Sequence, residues 1–184
     1  LPDFVLSKPA MVLFNLLNFN LAKRLPQERV RHLEGFFYPL DAILNWNRMY
    51  GKSGFTQYQL VLPKEASFRG LRLVLDRIGR SGLGSFLGVL KLLGPANENL
   101  LSFPLEGYTL ALDFKIRPGL FRLLDELDRI VLDHGGRIYL TKDARMKPET
   151  LRRGYPGWER FVELRHRLGL AGRFGSLQSQ RLGV

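Results

Sequence analysis

The chain has 184 residues, a formal net charge of +11 and no cysteine. That length suits one ordinary domain, or one domain plus a small appendage, and a 45% apolar content is enough to bury a core. The missing cysteine excludes disulfides, thiolate metal sites and a cysteine nucleophile. The positive charge attracts polyanions, whether nucleic acid, anionic lipid or phosphorylated substrate, and does not choose among them.

Pro9 and Pro26 bracket a first helix, on which Met11, Leu13, Phe14, Leu16 and Leu17 are expected to form one sticky face. Core or interdomain packing is its expected use, with contact to a membrane surface as the alternative. The apolar stretch from Phe4 to Leu21 is interrupted by Lys8, Pro9, Asn15, Asn18 and Asn20. It is too short to cross a bilayer, which needs about 20 apolar residues. No basic leader or small-residue cleavage site accompanies it, so neither a spanning helix nor a signal peptide is expected.

Asp41 is expected to cap a short helix over Ala42 to Met49, and Gly51 and Gly54 make a turn. Phe55 to Leu62 alternates as a strand that Pro63 closes. Lys64 to Gly79 reads as a helix with Phe68, Leu71, Leu75 and Ile78 on its apolar face. A second strand runs from Phe86 to Leu93, stopped by Gly94-Pro95, and a polar loop continues to Leu101. Tyr108 to Lys115 is a third strand. After Pro118 comes a helix lined by Leu120, Leu123, Leu124, Leu127, Ile130 and Val131, with Gly135-Gly136 as its C-terminal signal. Arg137 to Thr141 is the fourth strand. Helical stretches follow at Pro148 to Arg153 and Trp158 to Leu168, and then a Gly-rich, basic run to Val184. The order strand, helix, strand, strand, helix, strand is ferredoxin-like. It predicts an α+β fold: an antiparallel sheet with helices packed on one face, plus a C-terminal helical segment.

No Gly-rich phosphate loop is present, and His32, His134 and His166 lack metal-ligand spacing, so no metal site is expected. Gln57 and Gln59 fall on one face of their strand, where two amides can hydrogen-bond sugar hydroxyls or simply meet solvent. Lys91 lies inside an apolar strand, at a sheet edge or turned into a site where it could hold an anion. Asp113 is expected to pair with a nearby cation or cap a loop. Lys142 follows a strand end, a place where functional side chains emerge and where a surface turn would also put one. A basic split βαβ sheet also admits an RNA-binding reading that needs Tyr58 and Tyr108 on an open face, but the glycine-aromatic signature is missing.

One further signal is the order of short motifs: Phe36-Phe37-Tyr38-Pro39-Leu40-Asp41, Trp46-Asn47-Arg48, Gln57-Tyr58-Gln59, Lys91 with Gly94-Pro95, Leu101-Ser102-Phe103-Pro104, and Tyr139-Leu140-Thr141-Lys142-Asp143. Together with the closing Arg181-Leu182-Gly183, the chain resembles the flavin-dependent oxidoreductases of the vanillyl-alcohol oxidase superfamily, and within them the decaprenylphosphoryl-ribose oxidase branch. The resemblance implies a C-terminal part of such an enzyme. Residues 1–137 would be the later part of its substrate-binding domain, and 138–184 a segment returning to an FAD-binding domain that holds most of the cofactor. It implies that Gln57, Gln59, Lys91, Thr109, Phe37 and Tyr38 line the substrate pocket and that Tyr139 and Lys142 lie near the flavin, Lys142 also polarising the substrate hydroxyl. Thr109 stands where close relatives carry asparagine, Ala111 where they carry cysteine and Phe37 where they carry tyrosine. The implied reaction is hydride transfer from a secondary hydroxyl of a sugar, such as a polyprenyl-phosphate-linked pentose, to FAD. A sugar-lactone or other hydroxy-substrate oxidase is the alternative within the same superfamily. A short-chain reductase partner, peripheral contact with the inner face of the cytoplasmic membrane and no nucleic acid complete these expectations.

Overall fold

The computed structural model describes residues 8–26, 28, 30, 32–38 and 44–184. The chain divides into two compact units, Leu1–Phe55 and Thr56–Val184.

The first unit contains helix α1 (Lys8–Arg24), the short helix α2 (Leu33–Phe37) and a 3-10 turn at Trp46–Tyr50. Of the expected helix over Ala42 to Met49, residues 42 and 43 lie outside the described residues, and the rest is a turn followed by the 3-10 segment. Asn45 precedes it in the left-handed region at φ 55, a conformation that breaks helical continuity. The expected cap, Asp41, lies outside the described residues. Tyr50 and Phe55 stack at 4.5 Å, and Trp46 tilts onto Phe55 at 5.5 Å. Helix α1 departs from the expected one-sided face. Val12, Leu13, Phe14, Leu16, Leu17, Phe19 and Leu21 are all exposed, and at roughly 100° per residue they span about 220° of the circumference, with Asn15 and Asn18 in the gap. No helix among the described residues is long and apolar enough to cross a membrane.

The second unit is built on four strands: β1 (Phe55–Pro63), β2 (Leu87–Leu93), β3 (Gly107–Lys115) and the two-residue β4 (Arg137–Ile138). Their spatial order is β2-β3-β1-β4, the arrangement expected of a ferredoxin-like chain. β2 pairs antiparallel with β3, and β1 with β4. Cross-strand contacts such as Gln57 with Asp113 and Leu60 with Thr109 run in opposite senses along β1 and β3, so these two are antiparallel as well.

Helices α3 (Lys64–Ser81) and α4 (Leu120–Asp133) cover one face. Tyr58, Leu60, Leu62, Leu110, Leu112 and Phe114 from the sheet meet Val74 and Ile78 of α3 and Leu120, Leu123, Leu124, Leu127 and Val131 of α4. The leucine stripe of α4 is as expected. That of α3 holds only in part: Ile78 is buried and Leu71 packs against the core, but Phe68 and Leu75 are exposed and Ser67, Gly70 and Val74 are buried instead. Small residues let α3 approach the sheet closely. A Cβ on Gly70 would come within 2.6 Å of Leu62 Cδ1, and Ser67 Oγ donates to Leu62 O at 2.9 Å.

The fourth strand is shorter than the expected Arg137 to Thr141. After Tyr139 N bonds Gln59 O, the chain leaves the sheet as a 3-10 turn over Leu140–Lys142. Tyr155 Oη donates to Ile138 O at 2.7 Å, a carbonyl on the side of β4 turned away from β1. Helices α5 (Pro148–Gly154), α6 (Trp158–Arg167) and α7 (Leu177–Leu182) follow. Met146, Leu151, Tyr155 and Leu182 belong to the same core as the sheet. Helix α7 falls in the stretch expected to be a Gly-rich basic run. It is started by a reciprocal capping box between Ser176 and Ser179.

Candidate functional site

Alternation on the strands separates two surfaces of the sheet. Even-numbered residues of β1 and β3 face the helices and the odd-numbered ones face away. On the face turned away from α3 and α4, register sets Lys91 opposite Thr109, Val89 opposite Ala111 and Leu87 opposite Asp113. Gln59 Nε2 donates to Thr109 Oγ1 at 3.0 Å, and Thr109 Oγ1 donates to Leu60 O at 2.7 Å. Because Tyr139 N bonds Gln59 O, one row runs across the sheet as Lys91, Thr109, Gln59, Tyr139. A second row is formed by Gln57, whose Nε2 donates to Asp113 Oδ1 at 2.9 Å. Thr109 and Asp113 stand four residues apart on β3, about 13 Å along the strand at ~3.4 Å per residue. Ala111, between them, leaves the floor low.

The ends of this face differ. At one, Phe103 and Leu105 of the loop after β2 pack on Val61, with Tyr139 tilted against Phe103 at 4.5 Å. At the other, Lys142 ends the 3-10 turn that follows β4. Gln57, Gln59, Tyr139 and Lys142 line one narrow cleft of ≈ 10 Å³. A wider groove of ≈ 870 Å³ lies between residues 98–102 and α6, with Arg160, Glu163 and Arg167 on its wall. None of the expected site residues lines that groove.

Asp113 is the residue sequence reasoning undervalued. It takes an amide rather than the expected cation or loop cap, and it is only 3% exposed. Its Oδ2 is buried without a hydrogen-bond partner. Burial raises its carboxyl above the ordinary range, against the opposing influence of the Gln57 amide and the Lys142 charge. A polar residue flanked by Leu112 and Phe114 was the available signal, but sequence does not reveal which atom lacks a partner.

The helix side of β1 carries its own polar network. Tyr58 Oη donates to Asp128 Oδ1 at 3.0 Å, and Arg145 bridges Asp128 at 2.7 Å and Asp125 at 2.6 Å. Burial pushes the Tyr58 phenol well up, reinforced by Asp128. Burial also raises Asp128, against the pull of Arg145. Tyr58 and Tyr108 therefore do not form the open aromatic platform that an RNA-binding sheet needs: Tyr58 is buried under α4, and Tyr108 pairs with Leu92 in the helix-side register.

Lys91 ends its row at the sheet edge, and Phe37 and Tyr38 form part of neither row. Lys91 is exposed on the edge strand β2. Phe37 and Tyr38 belong to the first unit, at the end of α2, where they are 64% and 58% exposed. Among the described residues no group of His, Asp and Glu is arranged to hold a metal ion.

No family profile matches the chain. It is 43% identical over 156 residues to decaprenylphosphoryl-β-D-ribose oxidase of Mycolicibacterium smegmatis, covering 85% of this chain and 34% of that protein. It is 32% identical over its full 184 residues to a Streptomyces coelicolor protein described as an uncharacterized protein in the mprA 5′ region, 49% of which is covered. The chain thus spans between a third and a half of these relatives. By this similarity the chain corresponds to about a third of a decaprenylphosphoryl-β-D-ribose oxidase.

Proposed function

We propose that the outer face of the sheet is the sugar-binding floor of an oxidase that converts a secondary hydroxyl of a ribose-linked substrate to a ketone. The observation that carries this reading is the pair of polar rows, Lys91-Thr109-Gln59-Tyr139 and Gln57-Asp113, on the face of the sheet turned away from α3 and α4. A sugar presents several hydroxyls, each both donor and acceptor. Glutamine amides, a threonine hydroxyl and a carboxyl with an unused oxygen match that chemistry. The name of the Mycolicibacterium relative supports the ribose-linked substrate class.

Lys142 is assigned the reacting hydroxyl. Its ammonium emerges beside the Gln57-Asp113 row and acts electrostatically on Asp113. In that position it would hold the hydroxyl oxygen and favour loss of its proton. Lys91 and the two glutamines would fix the sugar ring so that one carbinol carbon is presented.

FAD fits one end of this arrangement. Tyr139 and Lys142, which line the same cleft, suit contact with a flavin ring, whereas the described residues offer no cradle for its pyrophosphate. When bound there, the flavin supplies a two-electron acceptor. A polyprenyl phosphate on the sugar would account for the net positive charge, for the exposed apolar helix α1 and for a peripheral position at the inner face of the cytoplasmic membrane. A short-chain reductase acting on the ketone belongs to the same reading.

The test is Lys142→Ala in the active protein. Turnover should fall on the order of 100-fold or more, the scale of a lost acid-base group, with substrate affinity less affected. Unchanged turnover sinks the assignment.

A further inference from the structure

Lys142 is held from behind by the last helix of the chain. Its 3-10 turn is closed by Lys142 N on Tyr139 O at 3.2 Å and Asp143 N on Leu140 O at 3.1 Å. Such a turn has few bonds of its own and is poorly fixed without outside partners. Helix α7 supplies them on both sides of the lysine. Gln178 Nε2 donates to Leu140 O at 2.7 Å, two residues before Lys142. Arg181 pairs with Asp143 Oδ2 at 2.9 Å, one residue after it, and its other arm reaches Met146 O. The Asp143 side chain is only 3% exposed, and its Oδ1 accepts from Arg145 N at 2.9 Å and Met146 N at 2.6 Å. The carboxylate thus joins the lysine turn, the following loop and α7 at one point. Leu182, buried in the main core, anchors α7 itself.

We propose that Arg181 and Gln178 are positioning residues for Lys142: α7, through Asp143 and the Leu140 carbonyl, sets where the lysine backbone stands relative to the polar rows. The inference rests on the reading of Lys142 as the group that meets the substrate hydroxyl. Bidentate Arg geometry is central to it, since a lysine at position 181 can make only a point contact and cannot span Asp143 Oδ2 and Met146 O in the same planar fork.

The experiment is a double-mutant cycle in the active protein, combining Arg181→Ala with Lys142→Ala. Arg181→Ala alone should lower kcat ten- to a hundred-fold, the scale of a displaced catalytic group, with a smaller change in KM. Arg181→Lys should recover part of the loss. On the Lys142→Ala background, Arg181→Ala should cost nothing further, because the residue through which it acts is gone. Equal losses on both backgrounds, or a kcat within two-fold of the parent, overturn the proposal. If Arg181→Ala does not fold, Gln178→Leu enters the same cycle with the same expectations. A second readout needs no turnover: acetylation of Lys142 by acetic anhydride, measured by peptide mass spectrometry against Lys91 as internal reference. Arg181→Ala should change the Lys142 to Lys91 ratio several-fold. An unchanged ratio overturns the positioning role even where Lys142→Ala proves inactive. An inactive Arg181→Ala beside a fully active Lys142→Ala instead removes the assignment of Lys142, and this inference with it.

Discussion

Gln59 and Leu60 are neighbours on β1, yet they belong to different halves of the molecule's physics. Leu60 is fully buried among the leucines of α4, and Gln59 reaches across the opposite face to Thr109. The same contrast separates Tyr58 from Gln57, and Leu112 from Asp113. One face of the sheet is covered by two helices and sealed by a salt-bridged network, and it supplies the hydrophobic stabilisation. The other keeps polar groups in two rows, with one carboxylate oxygen left without a partner. A period-two strand thus separates stability from chemistry by one residue, and changes on the two faces should have separable consequences.

The largest break is expected on the helix side. Asp128→Ala removes the acceptor shared by Tyr58 and Arg145, whose side chain is only 13% exposed. Leaving that guanidinium short of its buried partner should cost about 3 to 5 kcal/mol, read as a lower denaturation midpoint in urea. Leu60→Ala, which removes a fully buried side chain, should cost about 2 to 5 kcal/mol by the same measurement. Destabilisation below 1 kcal/mol for either would mean that this face is loosely packed.

Asp113→Asn sharpens the comparison from the other side. Burial raises the Asp113 carboxyl, so its proton is held more tightly in the folded chain than in the unfolded one. The stabilisation from this group is full below the unfolded pKa and lost as pH rises through the folded value. Asparagine keeps an oxygen to accept from Gln57 but cannot ionise, so the variant should be more stable than the parent at pH 7. That advantage should shrink as pH falls through the carboxylate range, and denaturation curves at several pH values would show it. A pH-independent difference would mean that the site does not titrate as described. The smallest effect is expected from Arg77→Ala, which breaks the pair with Glu126 between α3 and α4. Both partners are about a third exposed, so the loss should be about 0 to 1 kcal/mol.

The ferredoxin-like order was legible because β1, β3 and α4 carry strong periodicity and clear Gly and Pro boundaries. The two-faced division of β1 was legible for the same reason. The face of α3 was legible only in part, because it packs through Ser67 and Gly70, which apolar periodicity ignores. Helix α7 escaped because Ser179 replaces the Glu or Gln that marks a capping box. The early end of β4 at the 3-10 turn over Leu140–Lys142 is reported by no local pattern. Within the site, Gln57 and Gln59 could be assigned to one face by alternation, whereas Thr109 and Lys91 join them only through the strand register. The partnerless oxygen of Asp113 and the grip of Arg181 on Asp143 depend on distances that only folding creates.

The most direct test of the sugar-binding floor is the affinity of the active protein carrying Gln59→Ala for its ribose-linked substrate, measured by titration alongside thermal stability. Loss of a hydrogen-bonding partner at a buried polar contact is worth about 1 to 3 kcal/mol. Affinity should therefore weaken by about five- to a hundred-fold, while the melting temperature stays close to that of the parent. Unchanged affinity in a normally folded variant would contradict the account, leaving the Gln59–Thr109 bond as no more than a structural contact.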